Sequence, residues 1–331
     1  MKVGVVGAGG WGTTVAEMLS KKGFDTTLWI HSKKTFDAIK NWQENIFYLK
    51  GIKVKHIKTL TMDLEAALKQ KDIIVLAVPA QKLRYTIKKV EPDNNPLVIN
   101  LAKGIENNTN KRMSEVIAEV WDSLSPENIM SLSGPNFAIE IAQEMPAATV
   151  IGGINETFLK EVQKIFTTQY FRVYYTLDLP GVELGGSLKN VLAISAGISD
   201  GLGFGDSSKS SLIVRGIAEL IRFGTILGGK KETFYGLSGI GDLIATSFSK
   251  NSRNRWAGEE IGKGRTKEEI EELTTKVVEG MYTVKSVYEI KERKNIYMPI
   301  TDATYKIIYK NEMPLKALNE LMKRPLKREN L

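Results

Sequence analysis

The first half of the chain alternates two hydrophobic patterns. Short apolar or β-branched runs recur as "KVGVVG", "TTLWI", "DIIVLAVP", "LVINLA", "NIMSLSG", "AATVIGG" and "YFRVYY". Between several of them lie segments such as "WGTTVAEMLSKKG" and "NKRMSEVIAEVWDSL", whose apolar residues return every three or four positions. Strands alternating with helices predict a parallel sheet covered on both faces. From about Leu179 the pattern changes. "GVELGGSLKNVLAISAGISDGLG", "SLIVRGIAELIRFGTILGG" and "TVKSVYEIKERK" read as helices, with no strand pattern among them.

The first strand-to-helix turn carries chemistry. Gly7, Gly9 and Gly12 form G-x-G-x-x-G between the run Val3 to Val6 and a segment whose Val15, Met18 and Leu19 share one helical face. In that context the first glycine makes the tight turn, the second lets backbone approach a pyrophosphate, and the third lets helix and strand pack closely. The helix start then offers unpaired N–H groups and a positive dipole end to phosphates. The expected fold is therefore α/β: a Rossmann-like doubly wound sheet over residues 1–178, followed by an all-helical domain over 179–331. No Pro/Ser linker, repeat or low-complexity tract marks the junction, so the domains are expected to pack together.

An NAD-preferring site has Asp or Glu about 20 residues after the glycines, at the end of the second strand. Here that strand ends in "LWIHSKK", without an acid. His31, Ser32, Lys33 and Lys34 suit a 2′-phosphate instead, so NADP(H) is favoured and NAD(H) remains possible. The other reading of these four residues is an ordinary polar turn.

Composition narrows the remaining options. The 331 residues suit two domains, and no apolar run reaches the roughly 18 residues of a membrane span. Lys2 leads directly into the glycine turn without a secretory pattern, which predicts a cytoplasmic protein. There are no cysteines and two histidines, His31 and His56, which excludes disulfides, thiolate zinc sites and a cysteine nucleophile, and no metal centre is expected. A net charge of +8 is scattered along the chain, and its densest cluster, "KRPLKREN", reads as a solvated tail. Small anions fit that excess, and nucleic acid is not expected.

With both histidines in the first 56 residues, a helical domain needs another proton donor. Lys189, in "ELGGSLKNVLA", lies among small and apolar residues, where desolvation and neighbouring cations can tune a lysine towards working pH. A snorkelling helix lysine is the alternative. In "GLSGIGDLIATSFSKNSRNR", Asp242 follows a glycine-rich turn, and Ser252, Arg253 and Asn254 form either a phosphate clamp or an exposed polar loop. Lys103 follows "LVINLA", and "SGPNFA" follows another strand. Both fall at the carboxyl edge of the sheet, where such folds bind ligands.

Taken together, "GAGGWGT", "AKG", "SGPNFA", "GVELGGSLKNVLAISAGISDGLGFGD", "GLSGIGDL" and "SRNR", in this order and spacing, closely resemble the soluble NAD(P)-dependent glycerol-3-phosphate dehydrogenases of bacteria, from Lys2 to about Pro314. The resemblance implies reversible reduction of dihydroxyacetone phosphate to sn-glycerol 3-phosphate for phospholipid synthesis, usually by a homodimer. It further implies that Lys189 is the proton donor in reduction and that Asp242 orients or tunes it. Lys103 would contact cofactor and substrate. Ser252, Arg253 and Asn254 would hold the substrate phosphate, with Asn190, Thr246, Gly134 and Asn136 as further substrate contacts. Gly10, Trp11, His31, Gly134, Ala138, Arg253, Val277 and Glu279 fall where the family contacts nicotinamide cofactor. Asn136 departs from the family's Ser or Thr, and "WIHSKK" departs from the arginine often found there.

Two other classes compete. One is another Rossmann-plus-helical dehydrogenase, of the 6-phosphogluconate or the hydroxyacyl-CoA type; the latter needs a catalytic histidine after the first domain, and this chain has none. A sensor that binds NADP(H) without turnover would bind cofactor yet oxidise none.

Overall fold

Residues 1–274, 276–326 and 328–329 are described by a computed structural model. Each of the seven apolar runs forms a strand: β1 (Lys2–Val6), β2 (Asp25–Trp29), β4 (Ile73–Leu76), β5 (Leu97–Asn100), β6 (Ile129–Ser133), β7 (Ala147–Gly152) and β8 (Phe171–Thr176). An additional strand, β3 (Thr59–Thr61), has no apolar run behind it. It is three residues long and pairs only with β2 at the sheet edge, so it needs no buried face to hold its place. The order across the sheet is β3-β2-β1-β4-β5-β6-β7-β8.

The expectation of a parallel sheet requires one correction. Seven strand pairings are formed and six are parallel, but β7 runs antiparallel to β6. The helix between them, Ala138–Ala142, has five residues and is only about 7 Å long at 1.5 Å per residue. It cannot carry the chain back along β6, so β7 starts at the end where β6 stops. The 11-residue helix Glu156–Phe166 does make such a return, and β8 pairs parallel to β7.

Alternation along each strand divides the buried side chains between two faces. Val3, Val5, Ile73, Val75 and Ile99 join one apolar cluster with Val15 and Leu19 of the helix Gly10–Lys21. Val6, Ile74, Leu76 and Val98 join another with Leu83, Val116 and Trp121. Truncating such a residue to Ala costs about 2–5 kcal/mol.

The chain divides into two compact units: Met1–Lys103 with Met113–Val182, and Gly104–Arg112 with Glu183–Leu331. Gly104–Arg112 joins the second unit through buried Ile105, an Arg112–Glu183 ion pair of 2.7 Å and a Ser286–Asn107 hydrogen bond of 2.6 Å. The rest of the second unit is helical, with Leu179–Gly201, Asp206–Ile226, Arg253–Gly262, Glu279–Arg293 and Pro299–Lys310 as its longest helices. Among the described residues after Thr176 there is no strand.

Helices Leu179–Gly201 and Arg253–Gly262 cross with bare backbone against bare backbone. A Cβ on Gly197 would lie 2.0 Å from the Arg255 carbonyl oxygen, and one on Gly201 2.1 Å from that of Glu259. From the other side, a Cβ on Gly258 would lie 2.1 Å from the Ile194 oxygen. Side chains on these faces would force the helices apart.

Glu219 is buried within the second unit and accepts from Ile300 N at 2.6 Å, Thr301 N at 3.1 Å and Thr301 Oγ1 at 2.9 Å, closing the start of helix Pro299–Lys310. Burial, reinforced by Asp302, pushes its carboxyl up to about 7 against the opposing pull of those donors. Between the ordinary carboxyl pKa and 7, the native state holds a proton that the unfolded chain releases. The stability Glu219 contributes is complete below that range and is lost as pH rises through 7, at most about 3 kcal/mol. The melting-temperature advantage of the wild type over Glu219→Gln should therefore shrink from pH 5 to pH 8. A constant difference across that range would contradict the raised carboxyl.

Candidate active site

In the first unit, β1 lies between β2 and β4, where the strand order reverses, and the crevice at the carboxyl ends there is the ligand position of open α/β sheets. Gly7 leaves β1 with φ +114°, and a Cβ on it would lie 2.7 Å from the Ala77 carbonyl oxygen beyond β4. A Cβ on Gly12 would lie 2.0 Å from the Gly7 oxygen. These two glycines are required by the protein itself.

Gly9 differs, because a Cβ there meets no atom within 4 Å and its backbone is extended. It is the N-cap of Gly10–Lys21 and supplies no side-chain cap, so the first amides of that helix are left to a ligand. Trp11 Nε1 beside this turn is buried and has no hydrogen-bond partner among the described residues. A phosphate-bearing dinucleotide fits these features. A Cβ on Gly10 would approach the Tyr48 carbonyl oxygen at 2.9 Å and Ala138 Cβ at 3.4 Å, so Gly10, Trp11 and Ala138 come together around the turn.

Sequence reasoning missed the residue that fastens the turn. Asn45 is fully buried and its Nδ2 donates to Ala8 O at 2.9 Å and Thr13 Oγ1 at 2.8 Å. The link spans more than thirty residues and has no local signature.

His31, Ser32, Lys33 and Lys34 are exposed just past β2. Ser32 Oγ accepts from Thr35 N at 3.5 Å to cap helix Lys33–Trp42, and Lys33 pairs with Asp37 at 2.7 Å. Beyond β5 and β6, Lys103 Nζ donates to the Gly134 carbonyl oxygen at 2.8 Å. Asn136 is tied to β7, its Oδ1 accepting from Thr149 Oγ1 at 2.9 Å. Thr149 is a second partner without a signal in the local sequence.

In the second unit, Lys189 is 7% exposed and Asp242 2%. Lys189 Nζ lies 3.0 Å from Asp242 Oδ1 and donates to Thr246 Oγ1 at 2.7 Å. Thr246 Oγ1 in turn donates to Asp242 Oδ1 at 3.1 Å. Asp242 and Thr246 are one turn apart on helix Asp242–Phe248, which follows the tight glycine turn Leu237–Gly241. This geometry excludes a snorkelling Lys189, since its ammonium is held inside the unit.

The adjacent Asn190 Oδ1 accepts from Asn254 Nδ2 at 2.8 Å, and Asn254 Oδ1 accepts from Gly280 N at 3.0 Å. Arg253 Nη1 donates to the Val277 carbonyl oxygen at 2.9 Å. These bonds bring Arg253, Asn254 and Val277 together at the start of helix Glu279–Arg293, whose first residue is Glu279. Ser252 caps helix Arg253–Gly262 by accepting from Arg255 N at 3.1 Å, and Ser252 and Arg253 line one surface cleft with Trp256. No group of three or more potential metal ligands occurs among the described residues, and no described helix is long and apolar enough to cross a membrane.

A dinucleotide-type sheet followed by a helical unit with a buried lysine–carboxylate pair defines the class of two-domain nicotinamide-dependent dehydrogenases. The chain belongs to the NAD-dependent glycerol-3-phosphate dehydrogenase family, whose N-terminal model matches residues 2–159 and whose C-terminal model matches residues 178–319. The glycerol-3-phosphate dehydrogenase [NAD(P)+] of Carboxydothermus hydrogenoformans is 44% identical over 331 residues, covering 99% of this chain and 98% of the relative. A crystal structure of glycerol-3-phosphate dehydrogenase from Coxiella burnetii superposes with a TM-score of 0.92 at 33% identity, covering 98% of this chain and 99% of that one. The enzyme from Saccharomyces cerevisiae gives a TM-score of 0.83 at 28% identity, over 98% and 99% of the two chains.

The glycine turn offers a direct test. Gly12→Ala should lower the melting temperature sharply, because its Cβ has no room. Gly9→Ala should melt like the wild type and bind cofactor at least about tenfold more weakly, roughly 1.4 kcal/mol. Unchanged cofactor affinity in Gly9→Ala would remove Gly9 from the phosphate site.

Proposed function

We propose that this protein catalyses the reversible reduction of dihydroxyacetone phosphate to sn-glycerol 3-phosphate with NADPH as preferred cofactor, in the cytoplasm and as a homodimer, supplying phospholipid synthesis. The observation that carries the chemical assignment is the Lys189 ammonium held between Asp242 and Thr246. A bound nicotinamide supplies or accepts the hydride. Lys189 Nζ gives the proton that the reduced carbonyl oxygen requires, and takes it back in the reverse direction. Asp242 keeps the ammonium oriented, and Thr246, bonded to both groups, fixes its position. A positive group in a water-poor site also stabilises negative charge developing on the oxygen.

Ser252, Arg253 and Asn254 are assigned to the substrate phosphate. Arginine supplies planar, paired donors for phosphate oxygens, and the Ser252 hydroxyl can donate while its oxygen caps the helix. Asn190, Lys103, Gly134 and Asn136 are assigned as further substrate contacts. Gly7, Gly9, Gly10, Trp11, Gly12, His31, Lys103, Ala138, Arg253, Val277 and Glu279 are assigned to the cofactor.

Preference for NADP(H) is supported by the end of β2. Residues 30 to 36 contain no acid, and the first carboxylate after them, Asp37, is already paired with Lys33. The cationic and hydroxyl groups there suit a 2′-phosphate better than a bare ribose hydroxyl.

Initial rates with dihydroxyacetone phosphate, taken over a range of NADPH and of NADH, test enzyme and cofactor together. Turnover with both and a higher kcat/KM for NADPH is expected. A preference for NADH would keep the reaction and overturn the 2′-phosphate site, and absence of turnover with either would overturn the reaction.

A further inference from the structure

The basic carboxyl-terminal segment is more than a solvated tail. Lys327 and Asn330 of "KRPLKREN" lie outside the described residues, but Arg324 is half-buried and folds back on the second unit. Its Nε donates to Leu321 O at 2.8 Å and its Nη1 to the Tyr297 hydroxyl at 3.3 Å. Arg222 reaches the same tyrosine, donating to the Tyr297 carbonyl oxygen at 2.7 Å. Arg215 and Arg222 are seven residues apart on helix Asp206–Ile226 and share one face of it. Arg215, Arg222, Arg324 and Arg328 line a single cleft.

The charges in this cleft are not balanced from within. None of the four guanidiniums pairs with a carboxylate among the described residues. Glu219, which also lines the cleft, is buried and committed to Ile300 and Thr301, and Glu329 is the other acid there. Four cations against Glu329 and Glu219, whose buried carboxyl holds its proton up to about pH 7, leave the cleft positive by at least two. It shares no lining residue with the Lys189, Asp242 and Arg253 cluster.

We propose that this cleft is a further anion site, separate from those assigned to cofactor and substrate, which binds a small diphosphate-type anion. Guanidiniums approach it from both the helix and the tail, so an acceptor must present oxygens in several directions. A tetrahedral phosphate does so, whereas a carboxylate presents two oxygens in one plane. A dianion or higher charge matches the excess, and bound, it clamps the tail to helix Asp206–Ile226.

Calorimetric titration of inorganic pyrophosphate into the full chain at low ionic strength tests this, with Arg253→Ala separating the assigned substrate site. Saturable binding that survives Arg253→Ala and weakens at least tenfold in Arg222→Gln/Arg324→Gln is expected. Arg215→Gln breaks no hydrogen bond within the described protein and should weaken the same binding without lowering the melting temperature. Pyrophosphate should also slow tryptic cleavage after Arg328. Absence of saturable binding, or binding untouched by the cleft variants, whether it resides at Arg253 or at the Gly9 turn, would overturn the proposal.

Discussion

The contact on which the second unit depends is the crossing of helices Leu179–Gly201 and Arg253–Gly262 through Gly197, Gly201, Gly258 and their facing carbonyls. Only backbones this close let Asn190 on one helix bond Asn254 on the other at 2.8 Å. Lys189 and Arg253 are the neighbours of those two asparagines, so the same crossing sets the proposed proton donor and the proposed phosphate clamp in one frame. A methyl group at the crossing would act on chemistry a helix turn or more away.

In the proposed function, the two units approach phosphate by different physics. The first uses backbone amides at an uncapped helix start, with glycines keeping the approach clear. The second uses Arg253 and Ser252, side chains fixed by Val277 and by a helix cap. The proposed use of a lysine for proton transfer follows from what the chain contains. His56 pairs with Glu17 at 2.6 Å in the first unit and His31 lies just past β2, leaving the helical unit without an imidazole. A lysine can serve if it is withdrawn from bulk water and held by a carboxylate, and Lys189 is.

What could be read from the sequence was what is encoded locally. Seven strands followed from apolar or β-branched runs, and helices such as Gly10–Lys21 and Met113–Val120 from their three-to-four spacing. The glycine turn, Lys189, Asp242 and the "SRNR" residues announced themselves through unusual chemistry in short windows, and Asn190 only through the family resemblance. The features that escaped are long-range. β3 is held by one neighbour rather than by a buried face, and the antiparallel β7 reflects the shortness of Ala138–Ala142. Asn45, Thr149 and the Asn107–Ser286 bond act across 13 to 179 residues, with nothing beside them in the chain to mark them.

The central claim is that the ammonium between Asp242 and Thr246 carries the proton. The most direct measurement is kcat for dihydroxyacetone phosphate reduction by Lys189→Ala, on protein shown to remain folded and to bind cofactor. The account predicts a fall of at least about a hundredfold, the usual scale of acid–base assistance. A kcat near that of the wild type would contradict it.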